Sequence, residues 1–252
     1  MASERPVVLL HAFPLNATLW RPQVEAWPVG WRLVTPDLPG FGASPEAPTA
    51  TMDDMARGIL RILDGHGIQR AVIGGLSMGG YLTLALYRMA PERFSGMILA
   101  DTRATADTEE QKAGRRKMIA TVRDQGPPAI ADEMLPKLLG ATSQRERPSL
   151  SGTVRAMIEG NRADAIAGAV EAIMGRPDST PLLSSIAVPA LVLCGDEDVL
   201  TPPSDSEALH RGIPGSRLVM LPRAGHLSNI EVPELFSRAL NEFLAVLPSN
   251  SR

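Results

Sequence analysis

Residues 74–80 read Gly74-Gly75-Leu76-Ser77-Met78-Gly79-Gly80 and follow the apolar run Ala71-Val72-Ile73 without a break. A lone hydroxyl stands among glycines where a buried strand gives way to a helix-period segment, Met78 to Met89. Gly75 to Gly79 match G-x-S-x-G in the strand-turn-helix context which that pattern requires. A turn this sharp holds the serine backbone in an unfavourable conformation, at a cost on the order of 1–3 kcal/mol. Neighbours without side chains let the chain pass closely and leave the hydroxyl exposed at the strand's end. The competing reading is a serine that merely caps the helix. Only a base elsewhere in the chain, able to remove its proton, makes Ser77 a nucleophile.

Working outward, short Val-, Ile- and Leu-rich runs recur at Val7 to Leu10, Arg32 to Thr35, Met97 to Ala100, Ala190 to Leu193 and Leu218 to Leu221. Each is bounded by Pro, Gly or Asp, which suits strands covered on both faces in a parallel sheet. Between them lie helical stripes: Met52, Met55, Ala56, Ile59, Leu60 and Leu63 share one face after Thr51, and Leu82, Leu86 and Met89 share another. The alternation predicts an α/β fold with a mostly parallel, doubly wound sheet of about six or seven strands. From 108 to 177 no strand is expected, only stripes such as Met118, Ile119 and Val122. Breakers at Gly126-Pro127-Pro128, Pro136, Pro148 and Gly160 divide this stretch into short helices. The chain therefore reads as a core in two parts, 1–107 and 178–252, around a helical insert, 108–177. An insert leaving the carboxyl edge of such a sheet is placed to act as a lid, the alternative being an extra packing layer.

Composition narrows the function. The chain has 252 residues, 44% hydrophobic and 21% charged, enough to bury a full core. Its net charge of −3 gives no electrostatic reason to bind nucleic acid or an anionic membrane. Cys194 is the single cysteine, which rules out an internal disulfide and a Cys-rich metal site. No stretch reaches the roughly 18 apolar residues of a membrane span, and the apolar run near the N-terminus is too short for a signal-peptide core, so a cytoplasmic location is expected. Lys112, Arg115, Arg116 and Lys117 follow Glu109 and Glu110 and read as a solvated, ion-paired helix face.

Four histidines are candidates for the base. His66 lies at a helix end, His210 near another, and His11 directly after the first strand. His226 occupies a loop after the last predicted strand, before the final helix Pro233 to Leu247, on the same sheet edge as Ser77. The run Cys194-Gly195-Asp196-Glu197-Asp198 supplies acids in another strand-end loop, and Asp101 competes from the end of Met97 to Ala100. An acid that orients the imidazole completes the order serine, acid, histidine. Donors for an oxyanion are the Met78 amide at the helix start and the Phe13 amide in His11-Ala12-Phe13-Pro14, where Pro14 has none.

Together with Asp37-Leu38-Pro39-Gly40-Phe41-Gly42-Ala43-Ser44, these landmarks resemble the α/β-hydrolase superfamily over nearly the whole chain. The resemblance implies Ser77 as nucleophile, Asp198 as acid by the G-x-x-D spacing from Gly195, His226 as base, and Phe13 and Met78 as oxyanion donors. Two departures stand out: His11-Ala12 replaces the usual His-Gly, and the antiparallel hairpin that usually precedes that loop is missing. Within the superfamily the chain looks like the small carboxylesterases and 3-oxoadipate enol-lactonases, an impression to which Leu99-Ala100-Asp101-Thr102-Arg103 adds. The resemblance implies a serine hydrolase acting on small esters or lactones, with no metal or organic cofactor. Perhydrolases and carbon–carbon bond hydrolases share the serine, and a ligand-sensing binding protein could keep the same fold. Met118, Met134, Leu138, Met157 and Met174 are the expected wall of an apolar substrate pocket, or else helix core.

Overall fold

The computed structural model describes residues 5–248; the ends of the two expected core segments, 1–4 and 249–252, lie outside them. Six strands form one sheet: β1 (Arg5–Leu10), β2 (Trp31–Val34), β3 (Ala71–Leu76), β4 (Phe94–Ala100), β5 (Ala190–Gly195) and β6 (Arg217–Leu221). Every pairing is parallel, in the order β2-β1-β3-β4-β5-β6. β3 and β5 are buried along their whole length, as helix layers on both faces require.

The strand order fixes where chemistry can occur. The chain runs from β1 outward to β2, then returns past β1 to start β3 on its other side. Between β1 and β3 the connections diverge, and a crevice opens beyond the carboxyl ends of these two strands. Leu10 at the end of β1 pairs with Gly75 in β3, so the loops that follow both strands rise side by side. Because all strands point one way, the loops after β4, β5 and β6 emerge at the same edge.

In chain order the helices are α1 (Arg21–Glu25), α2 (Met52–Gly65), α3 (Met78–Met89), α4 (Glu109–Gln125), α5 (Pro127–Leu138), α6 (Ala141–Glu146), α7 (Ser149–Glu159), α8 (Ala163–Gly175), α9 (Pro203–Gly212), α10 (Ser228–Glu231) and α11 (Pro233–Val246). Helix α2 starts where the Thr51 hydroxyl accepts from the Asp54 amide, and it buries Met52, Met55, Ala56, Ile59 and Leu63. Helix α3 is buried from Met78 to Tyr87, as its position behind the central strand demands.

Helices α4 to α8 fill the interval between the neighbouring strands β4 and β5. Thr108 and Gln111 close a reciprocal capping box at the start of α4, a Thr-x-x-Gln signal present in the sequence. Pro136 does not break a helix as expected: it lies inside α5, two residues from the end. There its missing N–H and its ring cost only the hydrogen bond back to the Asp132 carbonyl, with two helical residues left to follow. The chain turns instead at Gly140, where an added Cβ would collide with the backbone of Gly225. Among the described residues, no helix is long and apolar enough to cross a membrane.

Candidate active site

Ser77 sits between β3 and α3 with φ of 57°, a region that L-residues adopt only under constraint. The constraint is visible. The Ser77 amide donates to the Ala100 carbonyl of β4 at 2.9 Å, and the Thr102 hydroxyl donates to the Ser77 carbonyl at 2.8 Å. A side chain on Gly79 would run into the Leu10 carbonyl, and one on Gly75 into the Gly79 carbonyl, so both flanking glycines permit the close passage. The hydroxyl points out at the crevice edge.

The loop after β6 brings His226 to that hydroxyl. His226 Nε2 is 2.7 Å from Ser77 Oγ, and its Nδ1 is 2.8 Å from Asp198 Oδ2. Three residues 149 and 28 positions apart in the chain thus form one hydrogen-bonded line. Burial alone would raise the Asp198 carboxyl. His226, the Thr201 hydroxyl and the Thr201 amide outweigh it and hold Asp198 below the usual carboxylate range. An ionised Asp198 makes His226 Nδ1 the donor and leaves Nε2 free to accept from Ser77.

The neighbouring acids have other work. Asp196 accepts from the Arg223 amide at 2.7 Å and pins the turn before His226. Glu197 accepts from the Thr142 amide at 2.7 Å at the start of α6. Asp101, the competing acid, does not reach His226. Its Oδ1 accepts from the Gly195 amide at 2.8 Å and its Oδ2 meets Ser228 Oγ. Burial, and then the nearby Asp198, push the Asp101 carboxyl well above its ordinary value. Asp101, Cys194 and Asp198 place their polar atoms within 4.8 Å of one another. Asp198 and Asp101 are already engaged, and burial pushes the Cys194 thiol up, away from the thiolate a metal would need.

The other histidines separate cleanly. His66 ends α2 with its Nδ1 near Arg32, and exposed His210 meets Ser216. His11 is fully buried, and burial pushes it down to about 4, so it is neutral. Its Nδ1 donates to the Ala12 carbonyl and its Nε2 accepts from the Leu38 amide, each at 3.0 Å. The imidazole therefore braces the loop carrying Phe13. Among the described residues, no hydrogen bond leaves the Phe13 or Met78 amide.

Two residues that the sequence reading passed over hold this loop system to the helical segment. Asn161, between α7 and α8, donates to the Pro14 and Leu15 carbonyls at 2.9 and 3.3 Å and accepts from the Gly42 amide at 3.0 Å. Glu231 is buried and accepts from the amides of Gly140, Gly225 and Leu227 at 2.8, 3.0 and 3.1 Å. It thereby clamps both sides of His226. The sequence signal was an acid between apolar neighbours, Ile230-Glu231-Val232.

A cavity of about 340 Å³ opens above Ser77 and His226. Phe13, Tyr81, Val199 and Leu200 wall it from the sheet side; Met118, Met134 and Ile173 do so from the helices. Of the five apolar residues expected there, Met118 and Met134 line the cavity, while Leu138, Met157 and Met174 do not. Leu138 is fully buried at the end of α5, where its carbonyl accepts from the Leu227 amide. The Met157 side chain is buried in the core and Met174 packs against it. Helical period gives a shared face but not the direction in which that face looks. The reading of Arg115 is corrected too: it turns into the cavity with Gln111, Glu133 and Lys137, whereas Lys112 makes the expected surface pair with Glu109.

This combination of sheet order, strained serine turn and cavity defines a class. Residues 5–233 match the family described as alpha/beta hydrolase fold, and the chain belongs to it. Among its relatives is a 3-oxoadipate enol-lactonase of Acinetobacter baylyi, 28% identical over 241 residues that cover 94% of this chain and 88% of that one. A solved thermophilic esterase from Thermogutta terrifontis, with malate bound, is 40% identical with a TM-score of 0.94, covering 97% of this chain and 91% of its own. The enol-lactonase from Burkholderia xenovorans LB400 is 30% identical with a TM-score of 0.89, covering 97% and 92%.

Proposed function

We propose that the chain is a serine hydrolase that cleaves carboxylic esters or lactones of small substrates through an acyl-enzyme. The observation that carries this reading is the continuous line Ser77 Oγ, His226 Nε2, His226 Nδ1, Asp198 Oδ2, with contacts of 2.7 and 2.8 Å. Relatives named as esterase and enol-lactonase support it.

The steps follow from the geometry. As Ser77 Oγ attacks the carbonyl carbon, its proton passes to His226 Nε2, and ionised Asp198 stabilises the imidazolium. The Phe13 and Met78 amides donate to the oxyanion of the tetrahedral intermediate, each worth roughly 2.7–4 kcal/mol. His226 returns the proton to the leaving alkoxide, leaving Ser77 acylated. Water then attacks the acyl-enzyme with His226 as base again, and the acid departs. The helical segment 108–177 acts as a cap that closes the cavity over the ester, between core segments 1–107 and 178–252.

The test is steady-state hydrolysis of p-nitrophenyl acetate and butyrate. Ser77→Ala lowers kcat by roughly a million-fold, the scale seen when such a nucleophile is removed. Turnover by the alanine variant near that of the parent removes the assignment.

A further inference from the structure

Asp198 accepts four hydrogen bonds, two on each oxygen, and the two oxygens do different work. Oδ1 takes the Leu200 amide at 2.8 Å and the Thr201 amide at 3.1 Å, which closes the turn after β5 with backbone alone. Oδ2 takes His226 Nδ1 at 2.8 Å and the Thr201 hydroxyl at 2.7 Å. The hydroxyl oxygen also stands 3.3 Å from His226 Nδ1, so Oδ2, Nδ1 and Oγ1 form a closed triangle at the end of the imidazole away from Ser77.

The turn does not need this hydroxyl. A threonine serving only the loop would bond the oxygen that already holds it, whereas Thr201 bonds the oxygen that meets the imidazole. Thr201 and Asp198 are both buried, which leaves the hydroxyl as the side-chain donor on Oδ2 besides the ring. Its two contacts act in opposite senses. Donation to Oδ2 spreads the carboxylate's charge and weakens its hold on a protonated ring; acceptance from Nδ1 strengthens that hold. The first is a charge-assisted bond of 2.7 Å and the second, at 3.3 Å, is long and shared, so the first prevails.

We propose that Thr201 is a positioning residue: its hydroxyl fixes Asp198 Oδ2 against His226 Nδ1 and draws charge from that oxygen, so that the imidazole gives up its proton more readily than beside the carboxylate alone. The proposal rests on the hydrolase reading of the same site and adds to it a residue that acts through the acid. Other groups surround the pair: Asp101 at the end of β4, Cys194 on β5, Asp205 on α9 and Glu231 on α10, with Arg103 donating to the Leu200 carbonyl. All are common to parent and variant, so a difference between the two reads the hydroxyl.

The test compares Thr201→Val, which keeps the shape and both amides, with Thr201→Ser, which keeps the hydroxyl. For p-nitrophenyl butyrate, kcat/KM rises with pH as the base loses its proton. In Thr201→Val that rise is expected to move to higher pH by at least about half a unit, or about threefold in kcat/KM on the acid side, while Thr201→Ser keeps the parent's profile. Thr201→Ala removes the hydroxyl without overfilling the site and moves the profile the same way, so it decides the matter should valine fail to fold. Valine and alanine profiles that coincide with the parent's, as a role confined to the turn would give, overturn the proposal; so does a serine profile displaced as far as theirs. A second readout needs no turnover. Followed by NMR of its ring protons, His226 titrates at higher pH in the Ser77→Ala, Thr201→Ala double variant than in Ser77→Ala, and equal midpoints overturn the proposal by themselves. Ester turnover that survives Ser77→Ala defeats the hydrolase reading and leaves the NMR titration to judge the part played by Thr201.

Discussion

Hydrogen-bond partners separate His11 from His226, although both rings are buried at the carboxyl edge of the sheet. His226 faces a hydroxyl and a carboxylate, while His11 spends both nitrogens on backbone. Pushed down to about 4, His11 stays neutral where an unfolded histidine with its ordinary 6.5 takes up a proton. Its contribution is therefore complete above pH 6.5 and is lost as pH falls toward 4, by on the order of 3 kcal/mol. Asp101 works in the opposite sense. Its raised carboxyl contributes stability below its unfolded value of 3.8, and that contribution fades as pH rises. The two groups oppose one another in the same acidic window. Asp101→Asn, which keeps the acceptor for the Gly195 amide and nearly the size of the side chain, is expected to lose stability more steeply than the parent between pH 6.5 and 4. Urea titrations at a series of pH values check this, and a slope equal to the parent's contradicts it. At this scale the sequence was informative where a residue type is chemically rare. Ser77 stood out among glycines and His226 among four histidines, whereas Asp198 was singled out from its acidic loop only by resemblance to the family's G-x-x-D spacing. Asn161 and Glu231 did not, because their work is hydrogen bonding to distant backbone that no local pattern announces.

The short elements α10 and the loop before it carry more than their length suggests. Glu231, the last residue of α10, accepts from amides on either side of His226 and from Gly140 after α5. Glu231→Ala strands the buried Gly140 and Gly225 amides, each costing about 1–3 kcal/mol, while the Leu227 amide keeps the Leu138 carbonyl, so a loss of several kcal/mol is expected. Glu231→Gln keeps the acceptor oxygen for part of the network and should lose less. Chemical denaturation ranks the two, and a smaller loss for alanine than for glutamine would refute the clamp. The strands were legible because parallel strands buried on both faces leave unbroken apolar runs. The insert was legible as helix, and Thr108 with Gln111 marked its start. Its breakpoints were only partly so: Pro136 is tolerated near a helix end, while Gly140 is enforced by a chain crossing from a different part of the sequence.

Across the whole molecule, the sheet order sets the site by bringing five strand-end loops to one edge. Cys194 lies inside that sheet, fully buried on β5, and burial raises its thiol. A reagent reaches it only when β5 leaves its neighbours, so labelling by a thiol-specific disulfide should proceed at the rate of global unfolding. Fast labelling of the native protein would show that β5 opens locally. The charged side of the cavity belongs to this scale too, since Arg115 of α4, Glu133 and Lys137 of α5 and Arg103 after β4 meet there. Sequence pattern could not supply it, because Arg115 differs from Arg116 and Lys117 only in the direction it faces.

The crossing of Gly140 and Gly225 bears on protein engineering. Neither strand of that crossing has room for a β-carbon, and Glu231 ties both to the imidazole loop. Chimeras that import foreign helices with seams at 108 and 177 would therefore detach half of a mated pair. Recombinants should transplant residues 139–142 and 224–231 from one parent, as a single cassette.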